Sequence, residues 1–231
     1  MNTPALLVLV RHAESLRNKV KNKNSVFISE SEKKKLEGYS DFSLPLSSEG
    51  FNQAKKTGKA LASEFENFDV AFHSGYVRAE TTLLEMKREF SRVAREHMKI
   101  EQNALIRERD CGYTYDMTEE ESAKYFPFLQ NYWKKHGGFF AVPPGGESLA
   151  QVTTRVAIFY EMLCRVWAGK KVLVVSHGGT IACFRGLIES LRYEKIIFWK
   201  RGEEPGNCNV TAYKFDDGSQ TPHILLKNHI F

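Results

Sequence analysis

Ala5-Leu6-Leu7-Val8-Leu9-Val10-Arg11-His12-Ala13-Glu14-Ser15 is the stretch that decides the fold. An unbroken apolar run of this kind, with no polar alternation, predicts a strand buried on both faces of a parallel sheet. It stops abruptly at Arg11-His12. A second run, Lys171 to Val175, stops in the same manner at Ser176-His177-Gly178-Gly179. Outward from these two, the polar, lysine-rich span Leu16 to Tyr39 reads as an excursion with some helix. Ser47-Ser48-Glu49-Gly50 is a helix-start signal, followed by Phe51, Ala54, Gly58, Leu61 and Phe65 at helical spacing. Val70-Ala71-Phe72 predicts a short strand, Arg78 to Phe90 a helix, and Met98 to Gln102 another strand. Leu149, Val152, Val156, Phe159 and Leu163 mark a long amphipathic helix, and Thr180 to Leu191 a further one. Asn209 to Phe215 and His223 to Lys227, on either side of Asp216-Asp217-Gly218-Ser219, predict a hairpin. Strands alternating with helices indicate an α/β fold: a mostly parallel central sheet flanked by helices on both faces. The segment from about 108 to 146, rich in aromatics, Gly and Pro and poor in periodicity, is expected to form a loop-and-helix cap over one end of the sheet. With no internal repeat, low-complexity tract or linker in the 231 residues, a single domain spanning 1–231 is expected.

Composition narrows the function classes. The hydrophobic fraction of 42% and charged fraction of 26% are those of a globular chain. No apolar run is long enough to cross a bilayer, and Arg11 and His12 interrupt the first one, so neither a membrane anchor nor a secretory leader is expected. A soluble, cytoplasmic protein is the expectation. The net charge of +5 is mild. Its one concentration, Arg17, Lys19, Lys21 and Lys23 followed by Lys33, Lys34 and Lys35, lacks the extent of a nucleic-acid stripe and reads as a solvated face or a rim attracting anionic substrates. Cys111, Cys164, Cys183 and Cys208 have no ligand spacing, so free thiols are expected and a metal is not.

In open α/β sheets ligands bind beyond the carboxyl ends of the strands. Two buried strands each deliver a histidine there, His12 and His177, and the arginine beside the first points to an anion site. At this point the residues carry a family resemblance. Leu9-Val10-Arg11-His12-Ala13-Glu14-Ser15 with Asn18 resembles the signature of the histidine phosphatase superfamily, which includes the cofactor-dependent phosphoglycerate mutases. Further blocks follow in the family's order: Leu44-Pro45-Leu46-Ser47 with Gly50, Gln53-Ala54 and Gly58; Ser74 with Arg78-Ala79 and Thr82; Glu108 with Gly112; Gly146-Glu147-Ser148 with Val152 and Arg155; and Val175-Ser176-His177-Gly178.

The resemblance implies a phosphoglycerate mutase-like fold and a set of roles. His12 would attack phosphorus and become phosphohistidine, with Arg11 and Arg78 holding the phosphate and keeping the imidazole neutral. Asn18, His177 and Gly178 would complete phosphate binding, and Glu108 would protonate the leaving alcohol and then activate water. The aromatic rings of Tyr113 and Tyr115 would raise its pKa by excluding water. Glu147 and Arg155 would fix the fold. Ala13 stands where the family's glycine is commonest, and Asp110-Cys111 replaces the mutases' His-Tyr. The longer insertion those mutases carry after this point is also missing, which favours a phosphatase. A metal-independent phosphomonoesterase without cofactor, acting on a small-molecule phosphoester, is thus the expected function. The alternative is a phosphoglycerate mutase, for which Arg109, Lys124, Lys134 and Lys135 are candidate carboxylate ligands, and a non-catalytic phosphate-binding scaffold ranks third. The cap's Tyr125, Phe126, Phe128, Tyr132, Trp133, Phe139 and Phe140 would make either an apolar substrate pocket or the cap's own small core. Exposed strand edges are compatible with a homodimer.

Overall fold

The computed structural model of the chain describes residues 3–21, 28–197, 205–216 and 221–231. Lys23 of the basic cluster and most of the proposed hairpin turn lie outside them. Elements follow in the order β1 (Leu6–Arg11), α1 (Leu16–Val20), α2 (Glu30–Lys35), α3 (Ser48–Phe65), β2 (Val70–His73), α4 (Val77–Arg88), α5 (Arg92–His97) and β3 (Lys99–Gln102). After two short 3-10 turns come α6 (Glu119–Tyr125), α7 (Leu129–Phe140), α8 (Leu149–Val166), β4 (Lys171–Ser176), α9 (Gly178–Ile188), α10 (Tyr193–Ile197), β5 (Val210–Lys214) and β6 (His223–His229). The six strands form one sheet in the order β3-β2-β4-β1-β5-β6, with the first four parallel. β5 runs antiparallel to β1, and β6 antiparallel to β5.

The apolar run works as a two-sided strand. Leu6, Val8 and Val10 point to one face and join Ala54, Leu61, Leu83 and Met86 from α3 and α4. Leu7 and Leu9 point to the other and join Val152, Val156, Phe159, Ile181 and Phe184 from α8 and α9. Phe159 lies between Phe72 and Phe184, edge-on to both at centroid distances of 5.1 and 5.9 Å. Fully burying a side chain of this size contributes about 1.5–3 kcal/mol, so the two clusters supply the driving force that holds helices to both faces. Among the described residues no helix is long and apolar enough to cross a membrane.

Register sets the site. Arg11 pairs with Ser176, so His12 and His177 are each one residue past the paired ends of adjacent strands, and the His12 amide still donates to the Ser176 carbonyl at 2.8 Å. Next to β4 on its other side, β2 ends at His73 and the chain turns through Ser74 to Tyr76 into α4, whose second residue is Arg78. The start of α3 closes against the turn after β1: a Cβ on Gly50 would fall 2.2 Å from the Glu14 carbonyl oxygen, so only glycine admits that approach.

Two short helices, α5 and α10, were not foreseen, and α9 starts at Gly178 rather than Thr180. The cap does consist of short helices, but none of the seven rings from Tyr125 to Phe140 lines the cleft at the strand ends, whereas Tyr115 does. Phe139 is buried in the core cluster of α8 and α9, while Tyr125, Phe128 and Phe140 are exposed.

Candidate active site

Beyond the ends of β1, β2 and β4 lies a cleft of about 430 Å³, whose walls include Arg11, His12, Asn18, Arg78 and Glu108. The His12 ring is buried, with Nδ1 2.8 Å from the Ala13 carbonyl oxygen. A carbonyl only accepts, so Nδ1 carries the proton and Nε2 keeps its lone pair. The pKa of His12 lies well below the ordinary 6.5, first because burial penalises the imidazolium, then because Arg78 and Arg11 repel it. The arginines do act as the sequence suggested, but burial is the larger cause. The turn is held by the Ala13 amide, which donates to Thr82 Oγ1 at 3.0 Å, and by Asn207 Nδ2, which donates to the His12 carbonyl at 3.0 Å.

Asn18 is the third residue of α1 and forms a capping box with Ser15. Its Oδ1 accepts from the Ser15 amide (3.2 Å), Ser15 Oγ (3.0 Å) and Asn207 Nδ2 (3.1 Å). The side-chain oxygen is consumed by the fold, which leaves the NH2 group as the donor available to a ligand. Arg78 is 6% exposed, donates from Nη1 to the Asp41 carbonyl oxygen and pairs with Asp41 Oδ1 at 2.9 Å. Arg11 donates to the Pro205 carbonyl oxygen.

His177 is brought beside His12, ring centroids 5.1 Å apart, but it does not line the cleft. It is fully enclosed, with Tyr76 against its ring at 5.0 Å and Ser74 Oγ 2.8 Å from Nε2. Its Nδ1 has no hydrogen-bond partner and stands 3.9 Å from Glu108 Oε2. Leaving a buried polar atom of this kind unpaired costs about 1–3 kcal/mol. Burial, then Arg78, His12 and Arg11, hold His177 well below 6.5 as well.

Glu108 is held on its backbone by Arg155 of α8, whose guanidinium donates to the carbonyls of Leu105 (2.7 Å), Arg107 (2.8 Å) and Glu108 (3.1 Å). Arg155 and Arg107 both pair with Glu147, so Glu147 and Arg155 build the wall that carries Glu108. The Glu108 carboxyl is raised above its usual range by burial, against the opposing pull of the Arg109 amide on Oε1 (2.9 Å) and of Arg78 and Arg11. The aromatic screen expected of Tyr113 is absent: that ring is 69% exposed and stacks on Phe126. The helix start packs against the carboxyl instead, and a Cβ on Gly179 would lie 3.2 Å from Glu108 Oε1. Gly179, not Gly178, lines the cleft; Gly178 opens α9 beside Arg11. Sequence reasoning also missed Asp41 and Asn207. Neither lies in a stretch whose spacing marks it, since each acts through a partner distant in the chain.

The family model of the histidine phosphatase superfamily (branch 1) matches residues 7–228. The chain belongs to this superfamily. It is 33% identical over 194 residues to a 2,3-bisphosphoglycerate-dependent phosphoglycerate mutase of Rhizobium rhizogenes, covering 83% of this chain and 82% of that one. The alpha-ribazole phosphatase of Shigella flexneri shares the fold with a TM-score of 0.73 at 17% identity, over 97% of this chain and 96% of the other. A mycobacterial glucosyl-3-phosphoglycerate phosphatase does so with a TM-score of 0.70 at 18% identity, over 98% and 100% of the two chains. Histidine phosphatase membership therefore rests on sequence, and the neighbours in structure establish the architecture.

Two neutral buried histidines make this fold acid-sensitive. Their folded pKa values are depressed below the unfolded 6.5, so the unfolded chain binds more protons once the pH falls through that value. Stability is then present above about pH 6.5 and is lost progressively below it. Thermal melts between pH 8 and pH 5 are expected to show Tm falling on the acid side, less steeply in His12→Asn. An equal slope in both proteins would remove His12 from this linkage.

Proposed function

We propose that the protein is a metal-independent phosphomonoesterase. His12 Nε2 attacks phosphorus, the P–O bond of the ester breaks, and the proton of Glu108 goes to the departing oxygen. Water then attacks the phosphohistidine, the P–N bond breaks, and Glu108 takes the water proton, restoring the starting state. The observation that carries this reading is the tautomer of His12: a buried, neutral imidazole with its Nδ1–H fixed on Ala13 and its Nε2 unprotonated among arginines. Arg11, Arg78 and the Asn18 amide line the cleft and offer donors to the phosphoryl oxygens, with His177 packed beside the His12 ring.

The second reading, a cofactor-dependent phosphoglycerate mutase, is favoured by the 33% identical relative of that name. The candidate carboxylate ligands speak against it. Arg109 lines the cleft, but its Nε donates to the Glu147 carbonyl at 2.7 Å and its Nη2 to that of Ala141 at 3.4 Å, so two of its three nitrogens are engaged by the backbone. Lys124, Lys134 and Lys135 are exposed and none lines the cleft.

The test is phosphate release from a panel of phosphomonoesters in excess EDTA, including p-nitrophenyl phosphate and 3-phosphoglycerate. Release from several esters is expected. Silence on all of them, with 3-phosphoglycerate isomerised once a bisphosphoglycerate primer is added, would establish the mutase instead. The pH profile carries a second expectation. His12 must be unprotonated and Glu108 protonated, and their shifts run down from 6.5 and up from 4.5, so kcat/KM should peak on the acid side of neutrality. The basic limb, reporting Glu108, should be present for an alkyl ester and missing for an aryl one.

A further inference from the structure

A carboxylate is an unexpected guest in a cleft built for phosphate, and Asp41 supplies one. It lies in the loop between α2 and α3, facing Arg78 of α4. The Nη1 corner of Arg78 is turned to Asp41, which holds it through both the main-chain oxygen and Oδ1. No described residue takes Nη2 or Nε, so that edge is the one left to grip a phosphate. Oδ1 also accepts from the Tyr115 hydroxyl at 2.5 Å, which ties Asp41 to the cap. Arg17 stacks over the same ring at 3.7 Å.

Oδ2 is different. Among the described residues it has no partner, and the side chain is 26% exposed on the cleft wall. A carboxylate oxygen accepts and never donates, so it cannot bond a phosphate dianion. It needs an O–H or N–H from whatever else enters the cleft. Asp41 and Glu108 line the same cleft, and the charge of Asp41 adds a small push to the Glu108 carboxyl toward the protonated form.

We propose that Asp41 Oδ2 accepts a hydrogen bond from a hydroxyl or ammonium group on the alcohol portion of the substrate, making Asp41 a specificity-determining residue. The substrate class is a phosphomonoester of a polyol or amino alcohol. An ester whose alcohol carries a second anion close to the phosphate sets two like charges against each other at this position. The inference deepens the phosphomonoesterase reading and rests on it for the identity of the ligand. Charge-assisted bonds of this type discriminate strongly, because a ligand without the donor leaves the acceptor unmatched in a partly buried site.

The test reads binding, not turnover. In His12→Ala protein, calorimetry compares glycerol 3-phosphate with n-propyl phosphate, and ethanolamine phosphate with ethyl phosphate, using inorganic phosphate as reference. The donor-bearing ester of each pair is expected to bind on the order of 10-fold tighter or more. Adding Asp41→Ala should bring each pair within about 3-fold, whatever happens to the affinity for phosphate itself, which reports how well Arg78 is aimed. Asp41→Asn keeps the volume and loses the charge, and should erase the ethanolamine preference even if the alanine variant does not fold. Pairs that bind alike with Asp41 present, or a preference that survives both substitutions, would overturn the proposal and leave Asp41 as an anchor for Arg78. Phosphate release by the unmodified protein is scored separately. A clear preference in binding with no release of phosphate would sink the hydrolase reading while this one stood.

Discussion

His12→Ala is expected to abolish phosphoryl transfer, with kcat falling by on the order of 10⁴-fold or more, because it removes the nucleophile of the proposed covalent intermediate. The fold should survive. The substitution deletes a ring at the sheet's edge and one hydrogen bond to the Ala13 carbonyl, a loss of about 1–2 kcal/mol offset in part by removing a buried titratable group. For a chain of this length that corresponds to a Tm lower by several degrees at most. The unmodified protein, quenched during turnover, should carry an acid-labile, alkali-stable phosphoryl group that the variant lacks. More than a few per cent of residual activity on an alkyl ester would remove phosphohistidine from the mechanism.

Glu108→Gln gives the next largest effect, and its size should depend on the leaving group. An alkoxide is a poor leaving group, so losing the proton donor should lower kcat by about 10²–10⁴-fold for an alkyl phosphate. For p-nitrophenyl phosphate, which departs without a proton, the first step should be nearly untouched, and any loss reports slower hydrolysis of the phosphohistidine. Burst kinetics separate the two, since the variant should release one equivalent of nitrophenol before a slow steady phase. Equal losses on both esters with no burst would take Glu108 out of the acid role. Because burial raises the carboxyl, the neutral amide should also be tolerated structurally.

The sequence carried the architecture because its information there was local. The runs ending at Arg11 and Ser176 have no alternation, and their side chains do divide between two cores. The signals at Ser47 and Ser148 are real caps, each accepting from a backbone amide in the first turn of its helix. That Arg11, His12 and His177 gather at the strand ends was legible for the same reason. What escaped was long-range or a matter of one residue's rotation. Asp41 owes its place to an arginine distant in sequence, and Asn207 to the turn after β1. Gly178 and Gly179 are adjacent in the chain, yet the helix start turns only the second toward the cleft. Tyr113 looked like a screen because it is near Glu108 in sequence, but the backbone turns it outward. The enclosure of His177 by Ser74 and Tyr76 likewise arises only when β2 and β4 lie side by side.

The roots of the cap have a consequence of their own. The Glu147 amide donates to the Asp110 carbonyl at 2.8 Å, and the Tyr113 amide to that of Pro144 at 2.9 Å, so the segment leaves and rejoins the body at nearly one point. Arg155 and Glu147 fasten the backbone around Glu108 at that point, and Arg109 adds one bond to the Ala141 carbonyl within the cap. A loop whose ends already meet contributes a closure cost that grows only slowly with its length. The length of the cap is therefore weakly constrained: residues inserted or removed at its exposed helices, away from Tyr115 and Ala141, are expected to leave the backbone of Glu108 seated, so the outer cap can vary while the cleft floor keeps its shape.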